Sequence, residues 1–298
     1  MAGCVKQIFE RNRVLGVNNK GILVMSSVAI IVLNYMTWEE TLKEVQMVKE
    51  IVQNKTMEYE IIVIDNCSSN DSYEQLSEYT DEFTLIKSSE NRGYAAGNNI
   101  GLRYAYEKNF KYSWILNNDI LFTDKNVINE MLKVFENDED IAIVSPDIYS
   151  PSGYMFNRDA VRPSLFDMTL GLWKYKKRGR AIEEAKKGWL YVYRPQGCCM
   201  LVDNKKASAV GYMDENTFLY CEEIILAERL LNKGYKCACC SSTSVIHNHS
   251  YTVKKTLSKI NYIKTNIKSF DYYLKKYRKY GFLSRILCRI FYIAKLLK

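Results

Sequence analysis

The chain has 298 residues, 47% of them hydrophobic and 26% charged, with four prolines and fourteen glycines, which excludes a disordered or low-complexity chain and fits one large α/β domain or two small ones sharing a core. No apolar run reaches the ~18–20 residues of a membrane-spanning helix, and nine cysteines without a signal peptide argue against a secreted disulfide framework. The net charge of +8 is local: from Val253 onward thirteen Lys and Arg face a single acid, Asp271, which leaves the rest of the chain net acidic.

Residues 1–27 are basic, mixed and weakly patterned, and read as an N-terminal extension. Residues 28–33 form a continuous apolar, β-branched run ending at Asn34-Tyr35, the pattern of a strand buried on both faces. A helix follows over 37–52, with Leu42, Val45, Val48 and Ile51 at helical spacing, Thr37 as N-cap and Glu40 three residues on. Residues 60–65 make a second buried strand, 71–79 a helix, 83–86 a third strand, and 93–106 a loop entering a helix. A fourth strand over 113–116 ends at Asn117-Asn118-Asp119, followed by a helix over 126–135 and a fifth strand over 141–144. This rhythm predicts a mostly parallel α/β sheet with helices on both faces. In such sheets ligands sit at the carboxyl ends of strands, where Asn34, Asp65 and Asp119 fall. Residues 154–193 are irregular, aromatic and basic, and suit a loop or small helical insertion over a site. Beyond them lie a strand over 197–202, a helix over 222–232 closed by Gly234, a strand over 237–246 and a Lys/Tyr-rich helix over 256–280. The cysteine pairs Cys198-Cys199 and Cys239-Cys240, with Cys237, lack the spacing of a zinc site and read as buried, reduced thiols.

Five polar clusters carry chemistry. Asp65 and Asn66 close the second strand; a carboxylate there can accept from a pyrimidine N–H or a ribose hydroxyl, or cap the next helix, as Asp71 is expected to do. Arg92-Gly93 through Gly97-Asn98 combines small residues, which permit close backbone approach, with a guanidinium that can face phosphate; an ordinary loop-to-helix turn reads the same way. Asn117-Asn118-Asp119 delivers a carboxylate at a strand end, a natural seat for Mg²⁺ or Mn²⁺ and equally a turn or cap. Asp214-Glu215 and Tyr220 with Glu222-Glu223 place carboxylates beside an aromatic, apolar run, where one can serve as general base or simply start a helix. His247 and His249, the only histidines, can ligate a metal or be structural.

In order, these clusters resemble the family 2 glycosyltransferases, in the bacterial rhamnosyltransferase-like and galactofuranosyltransferase-like branch. The stretches that carry the resemblance are Ile-Ile-Val-Leu-Asn-Tyr, Val-Ile-Asp-Asn-Cys-Ser-Ser-Asn-Asp-Ser, Asn-Arg-Gly-Tyr-Ala-Ala-Gly-Asn-Asn-Ile-Gly, Leu-Asn-Asn-Asp, Gly-Tyr-Met-Asp-Glu and Phe-Leu-Tyr-Cys-Glu-Glu, with Arg229 and Gly234, over roughly residues 28–252. The resemblance implies a GT-A fold, a Rossmann-like mixed sheet flanked by helices, with a C-terminal helical extension. It implies a nucleotide-sugar-binding half over 28–150, an acceptor-binding half over 151–252 and a tail over 253–298. Asp65 would bind the nucleobase with Asn34 and Tyr35 nearby; Asn66, Arg92, Gly93, Gly97, Asn98, Asn117 and Asn118 would complete the donor site. Asp119 would be the metal carboxylate, His247 would hold the metal–diphosphate end with His249 as alternate, and Glu223, with Glu222 as the other candidate, would be the base of a single inverting displacement. Asp214, Glu215, Tyr220 and Arg229 would meet the acceptor. Two departures stand out: the Asp-x-Asp motif begins with Asn117, and the usual Glu-Asp-x-Asp-Leu reads Glu222-Glu223-Ile224-Ile225-Leu226.

Residues 282–297 pattern as an amphipathic helix with a basic face, suited to an anionic membrane surface; a packing helix or a homodimer contact is the competing reading. The expectation is an enzyme on the cytoplasmic face of the membrane, moving rhamnose, galactofuranose or a similar hexose from a UDP- or dTDP-sugar to a lipid-linked glycan acceptor in capsule or cell-surface polysaccharide synthesis. A catalytically inactive glycan-binding relative is the alternative. A dinucleotide oxidoreductase would need Gly-x-Gly-x-x-Gly after the first strand, where Asn-Tyr-Met-Thr-Trp stands. A nucleic-acid-binding reading of the basic tail leaves the strand-end carboxylates unexplained, so no nucleic-acid partner is expected.

Overall fold

The computed structural model describes residues 14–17, 23–53, 57–171, 188–248 and 259–297. Ten strands, β1 (Val14–Val17), β2 (Leu23–Asn34), β3 (Glu58–Asp65), β4 (Thr84–Lys87), β5 (Tyr112–Leu116), β6 (Ile120–Phe122), β7 (Ile141–Tyr149), β8 (Trp189–Val192), β9 (Cys199–Asp203) and β10 (Lys236–His247), form one mixed sheet. Its main path runs β4-β3-β2-β5-β9-β7-β10-β6. The run β4-β3-β2-β5 is parallel, as is β7 with β10. β9 enters antiparallel between β5 and β7, an insertion that periodicity does not report because its residues are buried whichever way the strand points.

Alternation along β2 divides the core. Val28, Ile30 and Val32 face helices α1 (Trp38–Val52), α2 (Ser72–Ser77) and α4 (Val127–Phe135). Ala29 and Ile31 face α3 (Tyr94–Glu107), α5 (Asn204–Ala209) and α6 (Glu222–Leu231). The result is the three-layer arrangement expected of a parallel-rich sheet covered on both faces. A third cluster, with Ile225, Phe270, Tyr273 and Cys288, joins α6 to α7 (Lys259–Lys276) and α8 (Phe282–Leu296).

Some local expectations change. Thr37 sits at the N-cap of α1, but its hydroxyl makes no capping bond; it instead accepts from Asn118 Nδ2 at 2.8 Å. Asp71 likewise precedes α2 without a side-chain cap. β2 begins at Leu23, and Val14–Val17 pairs antiparallel with Leu23 to Ser26, so part of the stretch read as an extension continues the sheet. Gly234, at φ +80°, closes α6 as expected. The cysteines of the described residues are free, and the two clusters are buried. No described helix is long and apolar enough to cross a membrane.

Candidate active site

Three strand ends are joined by one hydrogen-bonded chain. Asn34, at the end of β2, donates from Nδ2 to Asp65 Oδ1 at the end of β3 (2.8 Å). Thr41 on α1 donates to Asn34 Oδ1 (2.9 Å) and lies 2.9 Å from Asn118 Nδ2, beyond the end of β5. Asn34, Thr41 and Asp65 are fully buried. Asp65 also receives the Ser68 backbone N–H (3.1 Å) and hydroxyl (2.6 Å), which fixes the loop after β3. Met36 and Cys67, just past the strand ends, adopt left-handed backbone at φ +60° and +57°, a costly conformation for non-glycine residues. Tyr35 is half-buried beside them. Asn66 donates to Asn91 (3.1 Å), while its buried Oδ1 has no hydrogen-bond partner among the described residues.

The glycines of the second cluster serve chain packing. Gly93 has φ +97°, and a Cβ there would lie 1.9 Å from the Phe218 carbonyl oxygen. The close approach is therefore to the chain's own backbone, and the Tyr94 N–H donates to that same oxygen at 3.0 Å. A Cβ on Gly97 would meet Leu33 at 2.6 Å and Asn66 at 3.2 Å, so the small residue lets α3 settle onto the strand ends. Asn98 donates to Tyr94 O. Arg92 lies half-exposed, 3.1 Å from Glu215.

Asp119 and His247 meet. β6 pairs antiparallel with β10 and places His247 opposite Ile120. His247 Nε2 thereby comes 3.1 Å from Asp119 Oδ1, with the Phe156 ring edge-on to the imidazole. His249 lies outside the described residues. No group of three or more His, Cys, Asp or Glu stands together as a ready-made metal cage among the described residues. A Mg²⁺- or Mn²⁺-type ion needs no such cage, because it takes one or two carboxylates and completes its shell with substrate phosphates and water. One carboxylate and one imidazole at a strand end fit that partial donor set.

Tyr94, which no motif in the sequence singles out, links the end of β5 to the Gly197–Glu223 side. Its hydroxyl lies 3.1 Å from Asn117 Oδ1 and 2.8 Å from the Gly197 carbonyl. Burial first, then the charges of Glu223, Cys198, Glu222 and Asp119, push its phenol well above the usual range, so it stands neutral among them. Glu223 Oε1 accepts from the Gly197 N–H at 3.2 Å. The turn before this acidic pair is strained, with Tyr220 and Cys221 consecutively left-handed at φ +72° and +69°. Glu222 is buried, its Oε1 lacks a partner among the described residues, and burial followed by the Glu223 charge pushes its carboxyl up to about 8. Glu223 remains half-exposed and faces the Gly197–Tyr94 side, the better geometry for meeting a substrate. Glu44, also missed, is buried on α1, its carboxyl raised by burial and then by the Asp119 charge. Its signal was its place on the apolar stripe of the helix, between Thr41 and Val48.

The residues expected at the acceptor are largely committed to the fold. Asp214 accepts from the hydroxyls of Tyr272 (2.8 Å) and Tyr277, and from Lys276 Nζ (3.2 Å). Burial works against that carboxylate, yet bonds from Tyr277, Asn216 and Tyr272 hold it well below the usual range. Glu215 pairs with Arg103 and Arg92 and accepts from Asn99 Nδ2 at 2.8 Å. Arg229 donates to the Gly211 and Tyr212 carbonyls. Tyr220 packs edge-on against Tyr262 of α7.

Comparison with known proteins adds to this geometry. The model of the family described as glycosyl transferase family 2 matches residues 27–202. The low-salt glycan biosynthesis hexosyltransferase Agl10 of Haloferax volcanii is 25% identical over 76% of this chain and 68% of its own length. The O-antigen chain rhamnosyltransferase WbaN of Salmonella anatum is 26% identical over 66% of this chain and 58% of its own. Among solved structures, the mannosyltransferase PcManGT of Pyrobaculum calidifontis, in complex with GDP-Man and Mn²⁺, superposes with TM-score 0.59 at 15% identity, over 89% of this chain and 69% of its own. GalNAc-T7 with UDP, GalNAc and Mn²⁺ gives 0.58 at 13% identity, over 90% of this chain and 54% of its own. These likenesses establish the GT-A fold.

Proposed function

We propose that this chain, which belongs to glycosyl transferase family 2, transfers a hexosyl group from a UDP- or dTDP-sugar to a glycan acceptor in one inverting displacement. The observation that carries the reading is the convergence on Tyr94 of the Asn117 and Gly197 contacts, with Glu223 and Asp119 among the charges acting on its hydroxyl. In this reading Glu223 takes the proton of the attacking acceptor hydroxyl. Asp119 and His247, with His249 as the alternate, hold a Mn²⁺ or Mg²⁺ ion, which when bound neutralises charge on the leaving diphosphate. Asp65, Asn34, Tyr35 and Asn66 frame the nucleobase and ribose. Arg92, Asn98, Asn117 and Asn118 complete the donor side. Tyr220 meets the acceptor, and Asp214, Glu215 and Arg229 hold the loop that receives it.

The curated relatives act in low-salt glycan and O-antigen chain synthesis by name, and two solved neighbours hold Mn²⁺. By extension the acceptor is a lipid-linked glycan of capsule or cell-surface polysaccharide, met at the cytoplasmic face of the membrane. Residues 28–150 form the donor half and 151–252 the acceptor half, followed by the helical tail.

The test is thermal-shift binding of UDP and dTDP, with and without Mn²⁺, to wild type and Asp119→Ala. Metal-dependent stabilisation is expected in wild type and lost in the variant, and the preferred nucleotide narrows the donor. A folded protein stabilised by no nucleoside diphosphate would overturn the reading in favour of an inactive glycan-binding relative.

A further inference from the structure

We propose that α7 and α8 present a docking face to an anionic lipid bilayer, with its apolar component on α8 and its basic component on α7. α8 is inverted relative to an ordinary surface helix, which buries its apolar stripe and exposes its charges. Its arginines serve the fold: Arg285 Nε donates to Asp271 of α7 at 3.0 Å, and Arg289 lies 3.9 Å from the same carboxylate. On the same inner side Cys288 is buried and the Tyr292 ring stacks on Phe270 at 4.3 Å. The outer side carries Leu283, Leu287, Ile290 and Leu297, at helical spacing of four, seven and fourteen residues from the first; Leu283 is 80% and Ile290 58% exposed. No described residue covers this stripe, and an exposed apolar stripe of this kind marks a contact site.

Charge selects the occupant. Lys264, Lys268 and Lys275 of α7 are exposed and share one helix face with Asp271, the residue that clamps α8. A second copy docked through this face would bring two sets of like charges into one interface, where Asp271, the only acid of α7 and α8, is already held by Arg285. An anionic bilayer accepts both components, the stripe into the acyl boundary and the ammonium groups at the phosphates. The basic residues of α8 itself, which the sequence pattern offers to the membrane, are thus in part withdrawn to Asp271, and α7 supplies the charge. The inference deepens the lipid-linked-acceptor reading and takes its purpose from it, but its test does not depend on transfer activity.

The experiment is flotation of the full chain with phosphatidylglycerol–phosphatidylcholine vesicles against phosphatidylcholine alone. Wild type is expected to float with the anionic vesicles and to be released by salt. The combined variants Leu283→Ser/Leu287→Ser/Ile290→Ser and Lys264→Gln/Lys268→Gln/Lys275→Gln are each expected to lose roughly ten-fold or more in partitioning. Both should keep the wild-type melting temperature and nucleoside-diphosphate shift, which shows them folded. Flotation of the variants equal to wild type, or no flotation of wild type, overturns the proposal. So does a wild-type dimer that the serine variant splits without change in lipid binding, which would assign the stripe to a second copy. Flotation that behaves as expected in a chain no nucleotide stabilises would leave the docking face standing and remove the donor-site reading.

Discussion

The strand-end half and the loop around Glu222–Glu223 reach a fixed geometry by opposite means. At the ends of β2, β3 and β5, the polar side chains brace one another through Asn34, Thr41, Asp65 and Asn118, on strands buried from both faces. The loop from Gly211 to Cys221 has no such strand to stand on. It is held from outside, by α7 at Asp214, by α3 at Glu215 and by the Tyr94–Phe218 backbone bond. The strand-end cluster is built into the core, whereas the loop is clamped at its back and left strained at Tyr220 and Cys221, next to the proposed base Glu223.

The largest test of this contrast removes the proposed base without touching the strand-end cluster. Glu223→Gln is expected to reduce transfer by about 10³-fold, the scale of a general base, while the metal-dependent thermal shift with nucleoside diphosphate stays within error of wild type. Loss of nucleotide binding in parallel would place Glu223 on the donor side and dissolve the division. The clamp comes next. Asp214→Ala leaves two tyrosine hydroxyls and an ammonium without their shared acceptor, and should cost about 3 kcal/mol in a urea titration. A cost within experimental error would mean that α7 does not hold the loop.

Glu222 sharpens the comparison through pH. Its folded-state carboxyl stands near 8, against an ordinary value of 4.5, because burial favours the neutral form. Its contribution is fully present below the unfolded value and is lost as pH rises through about 8, so stability should fall across that window. Glu222→Gln should flatten the decline, read as the urea midpoint against pH. An unchanged slope would assign it to other groups.

The two halves also differed in how far sequence could reach them. The strand-end residues were legible because each closes an apolar run, and strand ends are where such sheets bind ligands. The Glu222–Glu223 pair was legible as chemistry, but Tyr272, Lys276 and Tyr277, which hold Asp214 from α7 and the residue after it, lie 58 to 63 residues away in a stretch whose pattern gives no pairing. β6 escaped because three residues carry no period; only its pairing with β10 makes it a strand, and that pairing brings His247 to Asp119. Thr37 looked like a cap because its own stretch is all a local pattern contains, and Asn118, the competitor for its hydroxyl, is 81 residues on.

Tyr94 gives the smallest expected effect and the most specific. It belongs to both halves: its backbone N–H holds the loop at Phe218, and its hydroxyl spans Asn117, beside Asp119, and Gly197, whose N–H faces Glu223. Tyr94→Phe keeps the ring and the backbone bond and removes only that span. The loss should be about 1 kcal/mol of stability, the worth of a neutral hydrogen bond. If the span merely packs the interior, transfer will fall no further than the folded fraction does. If it sets the proposed base against the proposed metal carboxylate, kcat should drop several-fold at unchanged donor KM, because in that reading the strand ends alone bind the nucleotide whereas transfer needs both sides in register.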